Sequence, residues 1–89
     1  MSMPVEDVFT IRDRGVVATG CIASGTLRVG DLVQINGGPA VPVDAIEMFR
    51  KRLDEASAGD TVGVLITSIE KSQINRGDTL TWASETPAL

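Results

Sequence analysis

Glu47-Met48-Phe49-Arg50-Lys51-Arg52-Leu53-Asp54-Glu55-Ala56 is the stretch that separates an all-β chain from one with a helix. Taken alone it favours the helix, because its residues are good helix formers and Phe49 and Leu53 fall one turn apart. Its surroundings argue the other way. Val41 to Ile46 reads as a β-type run before it, and Val62, Val64 and Ile66 alternate with other residues after it. Propensity is a weak prior that tertiary context overrides. The segment is therefore read as a strand ending near Arg50, then a long turn with Leu53 tucked inward.

Working outward, short β-type runs are separated by glycine-containing turns. Val8-Phe9-Thr10-Ile11, the turn Asp13-Arg14-Gly15 and Val16-Val17-Ala18-Thr19-Gly20-Cys21-Ile22 make a hairpin. Further runs follow at Thr26 to Val29, Leu32 to Ile35 and Thr79 to Trp82, with Asn36-Gly37-Gly38-Pro39 as a turn. Gly-Asp recurs at Gly30-Asp31, Gly59-Asp60 and Gly77-Asp78, each time just ahead of a strand-like run. Glycine permits positive φ and aspartate bonds nearby amides, so the pair makes a compact turn into a strand. This spacing suits a barrel or sandwich of short strands.

Length and composition narrow the function classes. The 89 residues suffice for one domain (1–89), with a core over about 3–84 and a polar C-terminal tail over 84–89. The opening Met-Ser-Met-Pro-Val-Glu-Asp has no basic segment of a secretory leader, and no apolar run approaches the length of a membrane span. The expected setting is the cytoplasm. Net charge is −4, which disfavours tracking along duplex nucleic acid but leaves room for a local basic patch. Cys21 is the single cysteine, which excludes an internal disulfide and reads as a half-buried strand residue.

A search for chemistry returns little. The chain has no histidine and no tyrosine, which excludes Ser-His-Asp and Cys-His nucleophiles and histidine metal sites within it. Its carboxylates are spread along turns and exposed strand positions. No catalytic residue, metal site or cofactor is expected, and the chain is read as a binder rather than an enzyme. Gly20 to Thr26 has the glycine spacing of a phosphate loop without its lysine or following helix, and Asn75-Arg76-Gly77-Asp78 only mimics a GTPase signature. No GTP binding by this chain is expected. What survives is polar groups beside apolar strand residues: Arg12 and Arg14 near the first turn, and Arg50-Lys51-Arg52 after Glu47. They make either a solvated rim or a shallow pocket with a carboxylate for hydrogen bonding and arginines for phosphate.

The order of these pieces resembles domain 2 of bacterial elongation factor Tu. Met3-Pro4-Val5-Glu6-Asp7-Val8-Phe9-Thr10-Ile11 is very like its opening, and Arg14-Gly15 with Val17-Ala18-Thr19-Gly20 continues the likeness. Ile46-Glu47-Met48-Phe49-Arg50-Lys51, Leu53-Asp54-Glu55, Ala58-Gly59-Asp60, Val62-Gly63-Val64-Leu65 and Arg76-Gly77 extend it to about Trp82. The resemblance implies an all-β fold, a small closed antiparallel β-barrel of the translation-factor domain 2 type, here as a free-standing chain. Strand alternation and the family fold together place Phe9 and Val64 inside that barrel.

In the family this barrel helps hold aminoacyl-tRNA, with the terminal adenosine of the CCA end on its surface. Carried over by position, the resemblance implies apolar walls at Ile11, Val17 and Leu65, with Glu47 contacting the adenosine and Arg50 beside it. The sequence also departs from the family. Thr61 replaces an asparagine, Ile66-Thr67-Ser68 replaces a Leu-Arg-Gly run, and Cys21, Ala23 and Ser24 stand in a normally charged stretch. Two functions follow as expectations: a module contacting the tRNA 3′ end, or a protein-interaction adaptor that keeps the scaffold without RNA binding. The expected partner is tRNA or a translation-related protein, with no membrane, and the expected state is a monomer.

Overall fold

A computed structural model describes residues 1–83, so the expected tail over 84–89 lies outside the described residues. Its strands are β1 (Ser2–Pro4), β2 (Asp7–Ile11), β3 (Gly15–Cys21), β4 (Thr26–Arg28), β5 (Leu32–Ile35) and β6 (Ala40–Pro42). They continue with β7 (Ala45–Met48), β8 (Lys51–Leu53), β9 (Glu55–Ser57), β10 (Thr61–Ile66) and β11 (Thr79–Trp82), with a short 3-10 helix at Lys71–Gln73. The all-β reading holds. The run read as continuous from Val41 to Ile46 breaks at Val43-Asp44, where the chain turns from β6 into β7.

All pairings are antiparallel and form three sheets around one core. A five-stranded sheet runs β2-β3-β10-β7-β8, a four-stranded sheet β1-β11-β5-β6, and β4 pairs with β9. The expected closed barrel is thus not one continuous ladder. Backbone bonds outside the ladders stitch the seams instead. Ser2 N donates to Ser24 O at 3.1 Å, Ile22 N to Asp60 O at 2.9 Å and Gly30 N to Val43 O at 2.9 Å. Met3, Ile22, Leu27, Val33, Val43, Ile46, Val64, Ile66, Ile74 and Leu80 are fully enclosed between the sheets.

The three Gly-Asp pairs build the same turn. In Arg28–Asp31, Ser57–Asp60 and Asn75–Asp78, the aspartate N–H donates to the carbonyl three residues back at 3.0 Å each time. The aspartate carboxylate in turn accepts the first residue's N–H, at 2.9, 3.0 and 2.8 Å. The intervening glycines sit at φ of 95°, 96° and 93°, as the third position of a type II turn requires. A Cβ at any of the three would meet no atom within 4 Å, so backbone conformation rather than space demands glycine there. Gly20 is the opposite case. Its Cβ would lie 2.2 Å from the Pro4 carbonyl oxygen, so the glycine lets β1 cross close over β3.

Two expectations need correction. The segment after Glu47 is neither a helix nor a strand with a long turn; β7 ends at Met48 and pairs back onto β8 with Met48 opposite Lys51. The two turn residues are Phe49 at φ 52° and Arg50 at φ 68°, a conformation usually supplied by Asn-Gly. Leu53 does face inward and packs on the core, so the inward residue was read correctly while the turn was placed and sized wrongly. The second correction is Phe9, which is 45% exposed and lies outside the core, whereas Val64 is fully buried as expected. Phe9 and Ile11 share a face by the period of two. A surface role for Ile11 and a core role for Phe9 were therefore incompatible, and Val8 is the β2 residue that packs inward.

Candidate functional site

The five-stranded sheet has two unlike faces, and register decides which residues meet on each. On the inner face Val8, Ala18, Val64, Ile46 and Leu53 align across the strands. One residue along, Phe9, Val17, Leu65 and Ala45 form a row on the outer face. A second outer row joins Asp7, Thr19, Gly63, Glu47 and Arg52. Alternation along β10 thus sends Val62, Val64 and Ile66 inward and leaves Gly63 and Leu65 for the surface.

Between these rows lies a depression lined by Ile11, Arg14, Val17, Glu47, Gly63 and Leu65. It brings together four of the five residues singled out from the sequence. Arg50 is not among its lining residues; it stands on the hairpin tip beyond Met48. Two lining residues were not named for the site. Arg14 is one of the first-turn cations that the sequence offers for either a solvated rim or a shallow pocket. Gly63 was legible from the alternation of β10, because an outward glycine between outward side chains leaves a hollow.

Gly63 shapes the floor. A Cβ there would lie 3.2 Å from Val17 Cγ1 and 3.8 Å from Thr19 Cγ2, so the hydrogen keeps the hollow open. The hollow measures only about 30 Å³, so a ring-sized group would rest on it with one side exposed. Ile11, Val17 and Leu65 supply apolar contact. Glu47 supplies a carboxylate whose Oε2 is 3.9 Å from Arg52 Nε, with both side chains more than half exposed. A pair so exposed contributes little, and the carboxylate keeps capacity to accept hydrogen bonds from a ligand.

Chemically, the arrangement can accept a flat, partly apolar group with a donor at its edge. An unpaired base fits that description, because its ring faces pack on side chains while its amine or ribose hydroxyls donate to a carboxylate. The family model described as elongation factor Tu domain 2 matches residues 15–81. Val17, Glu47, Arg50 and Leu65 fall within the matched region, and Ile11 on β2 falls just before it.

Proposed function

The chain belongs to the elongation factor Tu domain 2 family, and from that premise we propose that it is a binding module of translation that takes the 3′ CCA end of (aminoacyl-)tRNA. It works by binding, not by catalysis. The observation that carries this reading is the convergence of Ile11, Val17 and Leu65 with the Glu47 carboxylate around Gly63. The terminal adenine lies across the apolar side chains, and Glu47 accepts from the nucleoside. Arg50, on the adjacent tip, supplies a guanidinium for backbone phosphate.

Titrating the labelled 89-residue chain with a CCA-ended acceptor stem, and with a matched stem lacking the last adenosine, tests this reading. Shifts centred on Val17, Gly63 and Leu65 are expected with the first RNA alone, because loss of the base forfeits stacking of roughly 1–3 kcal/mol. Shifts indifferent to the terminal adenosine would reject it.

One observation favours the second reading, a protein-interaction adaptor. Leu32 and Trp82 are 51% and 48% exposed and sit together with Gly30, Asp31 and Ala83 around a separate concavity. An adaptor would use that apolar surface and leave the depression at Gly63 empty. No response of the Gly63 region to millimolar RNA would favour it.

A further inference from the structure

We propose that Asn36 is a deamidation site held shut by its own hydrogen bonds, so that the β5–β6 turn chemically records each opening of its seam with β11. The site lies at one end of the four-stranded sheet and is independent of the RNA reading.

Asn36 is followed by Gly37, whereas the chain's other asparagine, Asn75, is followed by Arg76. A backbone nitrogen can attack the side-chain carbonyl carbon of the asparagine before it, and glycine, with no Cβ, hinders that approach least. Ile35-Asn36-Gly37-Gly38 is a tight turn, with φ of 52° at Asn36 and 77° at Gly37. Gly38 N donates to Ile35 O at 2.9 Å and closes it. Asn36 and Gly37 are both exposed, and a Cβ on Gly37 would meet no atom within 4 Å. Water and a cyclic intermediate have room there.

The reaction needs only water. Gly37 N bonds to Asn36 Cγ, the Cγ–Nδ2 bond breaks, and the proton lost by Gly37 N leaves with Nδ2 as ammonia. The product is a cyclic imide. Water then adds to one of its two carbonyl carbons, that carbon's bond to Gly37 N breaks, and the N–H is restored. Opening at Cγ leaves aspartate. Opening at the backbone carbonyl leaves isoaspartate, in which the main chain runs through the former side chain.

In the folded chain the amide is engaged at both ends. Asn36 Nδ2 donates to Asp78 Oδ1 at 2.9 Å, and Asn36 Oδ1 accepts from Thr79 N at 2.9 Å. A backbone N–H only donates and a carboxylate only accepts, so the partners fix which end of the amide faces which. Asn36 N also donates to Thr79 O at 2.9 Å. Asp78 is itself anchored, because its Oδ2 accepts from Asn75 N at 2.8 Å. Swinging Cγ onto Gly37 N gives up both side-chain bonds, which ties the reaction to opening of the seam. Conversion also stops the latch from closing as before. Aspartate has no Nδ2 donor and sets a second carboxylate against Asp78, while isoaspartate lengthens the backbone of the turn.

The test incubates the 89-residue chain at mildly alkaline pH, with and without denaturing urea, and follows Asn36 and Asn75 separately by peptide mass mapping. In urea Asn36 should convert faster than Asn75. Without urea its conversion should be roughly 10- to 100-fold slower, as the loss of two hydrogen bonds implies. Asp78→Ala, checked for folding by circular dichroism, should speed conversion of the folded chain by roughly five- to tenfold. Should that variant not fold, the comparison with and without urea decides. Converted chain, separated by its added negative charge, should unfold at lower urea than the parent. Equal rates with and without urea, or a folded Asp78→Ala chain that converts no faster than the parent, would overturn the gate. Conversion led by Asn75 in urea would overturn the choice of site, and parent-like unfolding of the converted chain would overturn the latch.

Discussion

The two faces of the five-stranded sheet are built from the same strands, offset by one residue, and obey different rules. Inward, Val8, Ala18, Val64, Ile46 and Leu53 form a row whose middle three members are completely or almost completely closed to solvent. Outward, Phe9, Val17, Leu65 and Ala45 make a row equally rich in apolar groups that stays open at Phe9 and borders the depression. Hydrophobicity alone does not distinguish the rows; register does. On the proposed function, the part of the outer row that borders the carboxylate and the glycine serves the ligand.

The largest expected effect is a contrast between the faces. Ile46→Ala empties a fully buried site and should cost about 2–5 kcal/mol, a large part of the stability of so small a domain. Phe9→Ala removes a larger side chain, yet one already 45% exposed, and should cost far less, about 1 kcal/mol, chiefly through its cross-strand contact with Val17. Urea denaturation of both variants checks the contrast. Equal losses would mean that the outer row is part of the core.

Next in size is the β7–β8 turn. Phe49 and Arg50 hold positive φ without being glycine or asparagine, which costs of order 1–3 kcal/mol each for residues kept in sparsely populated regions. Replacing Phe49-Arg50 by Asn-Gly should raise stability by about 1–2 kcal/mol. On the proposed function it should weaken RNA binding at the same time, since Arg50 is removed from the tip. Added stability with unchanged affinity would separate the tip from the site.

The Gly-Asp turns are expected to behave alike. Gly30→Ala, Gly59→Ala and Gly77→Ala each force a side chain to φ near 95° without creating a clash, and each should cost about 1 kcal/mol. The three turns share no hydrogen bond with one another, but the first two open from the paired strands β4 and β9, so any departure from additive costs should fall on Gly30 and Gly59. Marked differences among them in thermal or urea unfolding would show that their matched geometry hides unequal roles.

The sequence revealed the repeated device and the strand plan, and it missed what depends on pairing. Gly30, Gly59 and Gly77 were legible because glycine followed by aspartate has a local mechanism. β1, β8 and β9 were not, because Ser2-Met3-Pro4, Lys51-Arg52-Leu53 and Glu55-Ala56-Ser57 lack the β-branched pattern by which the equally short β4 was read, and each is seen only through its partner. The turn at Phe49-Arg50 was illegible for a related reason: its residues carry none of the chemistry that marks a two-residue hairpin. At the site, Ile11, Val17, Glu47 and Leu65 were found through family resemblance and not from spacing. Gly63 went unread although alternation along β10 points to it, because a missing side chain is noticed only once its neighbours are known to meet.

Gly63→Ala is the smallest change and sharpens the comparison most. Its backbone lies in a strand and outside the left-handed region, so alanine meets no conformational penalty there. Less unfolded-state freedom would stabilise by about 0.4–1 kcal/mol, and the 3.2 Å approach to Val17 Cγ1 offsets part of that. Net stability should therefore stay within about 0.5 kcal/mol of the parent. Binding should not stay put, because the new methyl occupies the floor of a hollow that measures only about 30 Å³. A base seated there would be lifted away from Val17 and Leu65, while Glu47 and Arg50 remain as they were. The expected result is unfolding like the parent's and loss of the response to the terminal adenosine, with any salt-dependent contact to phosphate retained. Undiminished adenosine binding by Gly63→Ala would place the base elsewhere on the outer face, and the hollow beneath it would then be a consequence of strand packing alone.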